Sequence, residues 1–220
     1  MNKNSLLYLF FCFALNVFAQ HEKDQIWSGL EFNHQLNKKI EYSLRGEYRS
    51  LGTEDPLNKF LEIGSAYKFN KYLNFKFGSR FSDVYENENK IRLYADAAVK
   101  WSKKKWPLKI QYRNRFQRTF LSTSTDHFSV YRTKLKLSWK LVKKLYFYSG
   151  LEYFYKFGDK NKWDNERFFY GLTMRFKKGL GMSLSYIIDE ELNKKSSDNT
   201  RAIVFGLSYR LKRKSKAKKD

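Results

Sequence analysis

The sequence predicts an all-β fold, an antiparallel transmembrane β-barrel of about 10–12 strands. Three observations carry this expectation. Apolar and charged residues alternate along runs of about 11 residues, short basic turns alternate with longer polar loops, and the chain opens on an export signal. The clearest run is residues 131–157. There Tyr131, Leu135, Leu137, Trp139 and Leu141 alternate with Arg132, Lys134, Lys136, Ser138 and Lys140. A period of two puts the large apolar groups on one strand face and the cations on the other. Such a strand is long for a soluble sheet and suited to crossing a bilayer at a tilt.

Composition bounds the classes. The 220 residues leave room for one barrel. Aromatic residues make up 19%, which excludes disorder for the chain as a whole. Mean hydropathy is -0.70 and no long apolar run occurs, which excludes a membrane-spanning helix. A barrel stays compatible, because alternation averages its hydropathy away. The formal net charge is +22. That charge fits nucleic-acid binding, contact with anionic lipid, or a cationic interior. Here the cations alternate with apolar residues along strands and no RNA-binding motif occurs, so nucleic acid is not an expected partner.

Residues 1–19 read as a secretory signal peptide. Lys3 supplies its positive end, Leu6 to Val17 its apolar core, and Val17-Phe18-Ala19 a cleavage site before Gln20. Cys12, the single Cys, lies inside it and follows Phe11, which does not suit a lipoprotein signal. No disulfide and no Cys metal site is therefore expected after processing. The barrel is expected over 20–211 and a solvated basic C-terminal tail over 212–220.

Alternating segments fall at about 25–36, 40–50, 59–69, 72–83, 90–101, 107–119, 128–140, 145–157, 166–176, 180–190 and 200–211. Short turns come at Asn37-Lys38-Lys39, Asn70-Lys71, Ser102 to Lys105, Val142 to Lys144 and Lys177 to Gly179. Longer loops span Leu51 to Asn58, Val84 to Asn89, Phe120 to His127, Gly158 to Asn165 and Glu191 to Asn199. Short turns on one rim and long loops on the other are the plan of an outer-membrane barrel. The segments number eleven, whereas bacterial single-chain barrels have even strand numbers. Ten or twelve strands are therefore open, with one segment mis-read or an end strand that does not pair as drawn.

Alternation also assigns faces. Leu44, Ile63, Phe77, Leu93, Leu172, Leu184 and Ile203 are among the residues expected to face lipid. Tyr42, Tyr48, Phe69, Trp101, Tyr131, Trp139, Tyr155 and Phe176 recur near strand ends, where rings at the lipid boundary would form girdles. On the opposite faces Arg45, Arg92, Arg113, Arg115, Arg132, Arg167 and Arg175 stand with Glu41, Glu47 and Asp96 as the expected lumen charge, and Glu62, Glu152 and Asp189 extend the set. An interior ion-pair network is one reading, and a small pore favouring anions is the other. Periodicity alone also allows a soluble periplasmic β-barrel binding protein with the faces reversed.

The opening Ile26-Trp27-Ser28-Gly29-Leu30-Glu31 and the repeated turns Leu36-Asn-Lys-Lys-Ile40 and Phe69-Asn-Lys-Tyr-Leu73, with the signal ending Phe-Ala-Gln, resemble an uncharacterised bacterial family, domain of unknown function 2490. The resemblance covers about residues 20–211. It implies an outer-membrane barrel of Bacteroidota, porin-like and without a catalytic signature, in contact with outer-membrane lipid and inserted by the barrel-assembly machinery. Small anions are the expected solutes.

One pair of residues suggests chemistry. His127 and Ser129 stand two apart on one side of a strand, with Ser124 and Asp126 near, which is how a hydroxyl nucleophile is activated. The spacing looks like the His-x-Ser of outer-membrane phospholipase, but the Asn-Gly-Arg-Ser context of that family is absent. A lipid-acting barrel enzyme is therefore the alternative to a non-enzymatic barrel. No cofactor is expected, and His21 and His34 lack partners at metal-ligand spacing.

Overall fold

A computed structural model describes residues 24–51, 55–85, 89–102, 106–122, 127–158, 161–192 and 199–211. The expected signal peptide and basic tail lie outside the described residues. The strands are β1 (Gln25–Gln35), β2 (Ile40–Leu51), β3 (Asp55–Lys68), β4 (Leu73–Val84), β5 (Lys90–Ser102), β6 (Leu108–Leu121), β7 (His127–Val142), β8 (Leu145–Phe157), β9 (Lys162–Arg175), β10 (Leu180–Glu191) and β11 (Thr200–Leu211). Each pairs antiparallel with the next, and β1 pairs with β11 to close a barrel.

The closure resolves the odd strand number. Up-and-down strands numbered one and eleven run the same way, so they can pair only in parallel. They do so from Gln25 opposite Ala202 to His34 opposite Leu211. No segment is split or lost among the described residues, and the count is eleven, inside the expected range of 10–12. At this seam Gly29 stands opposite Gly206. Neither adds a side chain to the wall, so the cavity borders bare backbone there.

Most of the strands match their expected spans closely, but β3 and β9 begin about four residues early. A bulge explains each. The register jumps opposite Arg49/Ser50, leaving Leu57 extra on β3, and opposite Phe154/Tyr155, leaving Asp164 extra on β9. One extra residue flips the parity beyond it, so alternation read outward from mid-strand stops at the bulge.

The short turns explain their Asn-Lys repeat. Asn37 Oδ1 accepts hydrogen bonds from the N–H groups of Lys39 and Ile40, each at 2.8 Å. Asn70 Oδ1 does the same for Tyr72 and Leu73, again at 2.8 Å. An Asn side chain closing its own turn is a local device that sequence alone specifies. The β9–β10 turn uses positive φ instead, at Lys178 (59°) and Gly179 (89°).

The apolar face points outward. Leu30, Leu44, Ile63, Phe77, Leu93 and Phe116 are exposed, and so are Tyr42, Phe69, Trp139 and Phe176 from the expected girdles. A continuous exterior of this composition is the surface a barrel offers to hydrocarbon. Two residues expected there, Leu184 and Ile203, are instead buried. Leu184 lies in register between Leu172 and Phe205, and Ile203 between Ile26 and Tyr186, so neighbouring side chains cover them.

Candidate functional site

The interior is a cavity of about 950 Å³, lined from Trp27 and Phe128 on the loop side to Arg175 and Arg210 on the turn side. All ten residues named above for lumen charge line it: Arg45, Arg92, Arg113, Arg115, Arg132, Arg167, Arg175, Glu41, Glu47 and Asp96. They arrive there by strand parity. On β5, for example, Arg92, Asp96, Ala98 and Lys100 share the inner face, while Leu93 and Val99 are exposed outside.

Mid-lumen, carboxylates are each shared by several cations. Glu152 accepts from Arg132 at 2.8 Å and Arg113, with Lys134 at 3.5 Å. Glu62 takes Arg80 at 2.6 Å, Lys76 at 3.4 Å and the Tyr94 hydroxyl at 2.8 Å. Asp96 receives both Nε and Nη2 of Arg115, at 2.6 and 2.8 Å. Glu47 pairs with Arg45 and Arg49, and Asp189 with Arg167. Planar guanidinium groups suit this sharing, because their five donors divide among neighbours in fixed directions.

Rings complete the network. Arg49 lies over Trp27 and Arg80 over Phe60, each at 3.7 Å, and Arg115 lies over Tyr94 at 3.9 Å. Sequence reasoning left these inward rings unassigned, and it also passed over Arg80. The available signal was parity: Phe60 is two residues from Glu62, Tyr94 lies between Arg92 and Asp96, and Phe169 is two from Arg167. At Gly78 and Gly150 a Cβ would collide with Tyr94 and with Phe169 respectively, so missing side chains make room for interior rings.

Not every cation is neutralised among the described residues. Arg92 reaches the Thr119 hydroxyl, at 3.1 Å, instead of a carboxylate. Lys136 sits over Tyr148 at 3.8 Å and Arg175 over Tyr146 at 4.7 Å, and neither has a described carboxylate within 4 Å. Altogether fourteen Lys and Arg line the cavity against eight Asp and Glu. The surplus survives the pairing and belongs to the water-facing wall.

His127 and Ser129 are placed differently. Both have the outward parity of Tyr131, at the loop-side end of β7, where the His127 ring lies 6.3 Å from that of Phe120. Ser129 stands in register with Arg118 and Phe157. Ser124 and Asp126 lie outside the described residues. Among the described residues no group of three or more His, Cys, Asp and Glu could hold a metal ion.

Among solved structures the chain is similar to the NanC porin, with a TM-score of 0.56 and 14% identity over 85% of this chain and 99% of that one. It is also similar to the KdgM porin, with a TM-score of 0.49 and 15% identity over 78% of this chain and 84% of that one. At these identities the first likeness speaks for the fold, a porin-type barrel. No curated protein matches significantly. The described barrel and the family of proteins of unknown function DUF2490 coincide over residues 24–201, and the chain belongs to that family.

Proposed function

We propose that the protein is a non-enzymatic outer-membrane barrel acting as a narrow pore that favours anions. The observation that carries this is the charge imbalance of the cavity wall, fourteen cations against eight carboxylates. In a confined lumen, fixed charge of one sign raises the local concentration of counter-ions and disfavours co-ions. The apolar exterior supports lipid as the surrounding medium, and the basic turns at Lys38, Lys71, Lys143 and Lys178 suit anionic headgroups at one rim. Insertion by the barrel-assembly machinery follows from this location.

The test is conductance of purified protein in planar bilayers under a potassium chloride gradient. A reversal potential on the chloride side is expected, moving toward zero in Lys136→Glu. An inserted barrel that does not conduct, or one that prefers potassium, would overturn the proposal.

A further inference from the structure

The uncompensated cations are not spread evenly along the lumen. Lys100, Lys136 and Arg175 gather toward the short-turn mouth, on β5, β7 and β9. Lys100 and Lys136 are joined in register through Gln111, as Lys100–Gln111–Lys136 across β5, β6 and β7. Arg175 and Lys136 lie over Tyr146 and Tyr148, which stand two residues apart on one face of β8. Among the described residues none of the three has a carboxylate within ion-pair distance. Glu41, a carboxylate at the short-turn end of β2, is engaged at 3.8 Å by both Lys68 and Arg210.

Like charges held together in this way cost free energy unless something of opposite sign visits. Mid-lumen the protein supplies that partner itself, through Glu62, Asp96 and Glu152. At the mouth it supplies donors: two ammonium groups, a guanidinium, the Gln111 amide, and the hydroxyls of Thr173 and Ser183 on the same cavity wall. Tyr148 and Tyr146 lie under Lys136 and Arg175 and limit where their heads can move.

We infer that Lys100, Lys136 and Arg175 form a binding station for a small polyvalent oxyanion, of the phosphate class, just inside the short-turn mouth. Its chemistry is that of charge-assisted hydrogen bonds converging from three strands on one multi-oxygen anion. The three side chains face the lumen, so the ligand is a dissolved anion and not a lipid headgroup outside the wall. The inference deepens the pore reading and rests on it for its physiological sense. Binding must then be strong enough to concentrate the anion and weak enough to release it.

The experiment uses the full chain folded in a non-ionic detergent and inorganic phosphate as probe, followed by phosphorus NMR titration. Saturable binding at one site per barrel is expected. Lys136→Gln and Arg175→Gln should each weaken it about tenfold or more, the size of one lost charge-assisted contact. Arg175→Lys should retain most of it, and Arg118→Gln, on the outer face, should change nothing. Lys100→Gln supplies the same reading if either of the first two variants fails to fold. A second arm adds phosphate to one side of a conducting bilayer, where stronger inhibition of chloride current is expected from the short-turn side. Absence of saturable binding, or equal loss in Arg118→Gln, overturns the station even if the pore prefers anions. Saturable binding with no conductance leaves the station standing and overturns the pore.

Discussion

Two ion pairs of equal length divide the molecule into a middle and an edge. Arg132 and Glu152 meet at 2.8 Å in mid-lumen, where their side chains are 10% and 1% exposed. Lys59 and Asp83 also meet at 2.8 Å, on the outer face near the loops, at 67% and 53% exposed. Distance alone would rank them as equals. Burial separates them, because the mid-lumen charges have given up water and depend on each other, while the edge pair keeps its hydration. The middle of the barrel is therefore held by charge and the edge only decorated by it.

The sharpest way to break this contrast is Glu152→Ala. It strips the shared partner from Arg113, Arg132 and Lys134, leaving buried cations facing one another. A loss of about 3–5 kcal/mol is expected, the usual consequence of removing one partner of a buried pair. Urea unfolding of the refolded barrel in lipid vesicles measures it. A loss indistinguishable from that of an edge substitution would mean that water already solvates the mid-lumen.

The outer wall at the same height should obey the opposite rule. Leu135, next to Lys134 in sequence, lies outside in register with Tyr112 and Leu151. Leu135→Arg is expected to cost about 2–4 kcal/mol, as charge on the lipid face of a barrel does near the midplane. The same unfolding assay reads it. Tolerance of arginine at Leu135 would show that this face does not meet hydrocarbon.

How much of this contrast is written in the chain depends on how local the cause is. Parity placed Arg132 and Glu152 on the inner face and Leu135 on the outer one, because a period of two needs only neighbours in sequence. The Asn37 and Asn70 turns were equally legible as a repeat, since each side chain binds backbone N–H groups two and three residues on. The β1–β11 closure was not, because parallel pairing between Trp27 and Val204 joins residues at opposite ends of the chain. Nor were the bulges at Leu57 and Asp164, where the alternation that marks a strand is itself interrupted. Interior rings escaped for another reason. Hydropathy gives Phe60 the same value under a guanidinium as against lipid, and only its parity with Glu62 distinguishes the two.

A smaller effect refines the contrast between middle and edge by using volume instead of charge. In mid-lumen Gly78 lies beneath Tyr94, whose hydroxyl donates to Glu62 at 2.8 Å. Gly78→Ala would press a methyl group against that ring and against the Ile63 carbonyl. The ring must shift, weakening its bond to Glu62 and its contact with Arg115. Overpacking of this kind costs about 1–3 kcal/mol. Gly46 is the control, because a methyl group added there would meet nothing closer than the Phe60 carbonyl at 3.9 Å. Gly46→Ala should leave unfolding nearly unchanged, and equal losses at both glycines would point to backbone conformation instead of the ring.

The edge pair itself gives the smallest expected effect. Lys59 and Asp83 stand opposite each other in the β3–β4 register, so strand pairing already fixes their spacing without help from the charges. With both heads in water, attraction is offset by the entropy of holding two side chains in one geometry, and dissolved salt screens what is left. Lys59→Ala should therefore leave the urea midpoint unchanged within error, at low and at high salt alike. Glu152→Ala should remain destabilising across the same salt range, because direct contacts between buried side chains are screened much less than exposed ones. If salt erased the Glu152 effect while Lys59→Ala mattered, the mid-lumen would be the better hydrated of the two regions, and the pairing there could not be what holds the barrel.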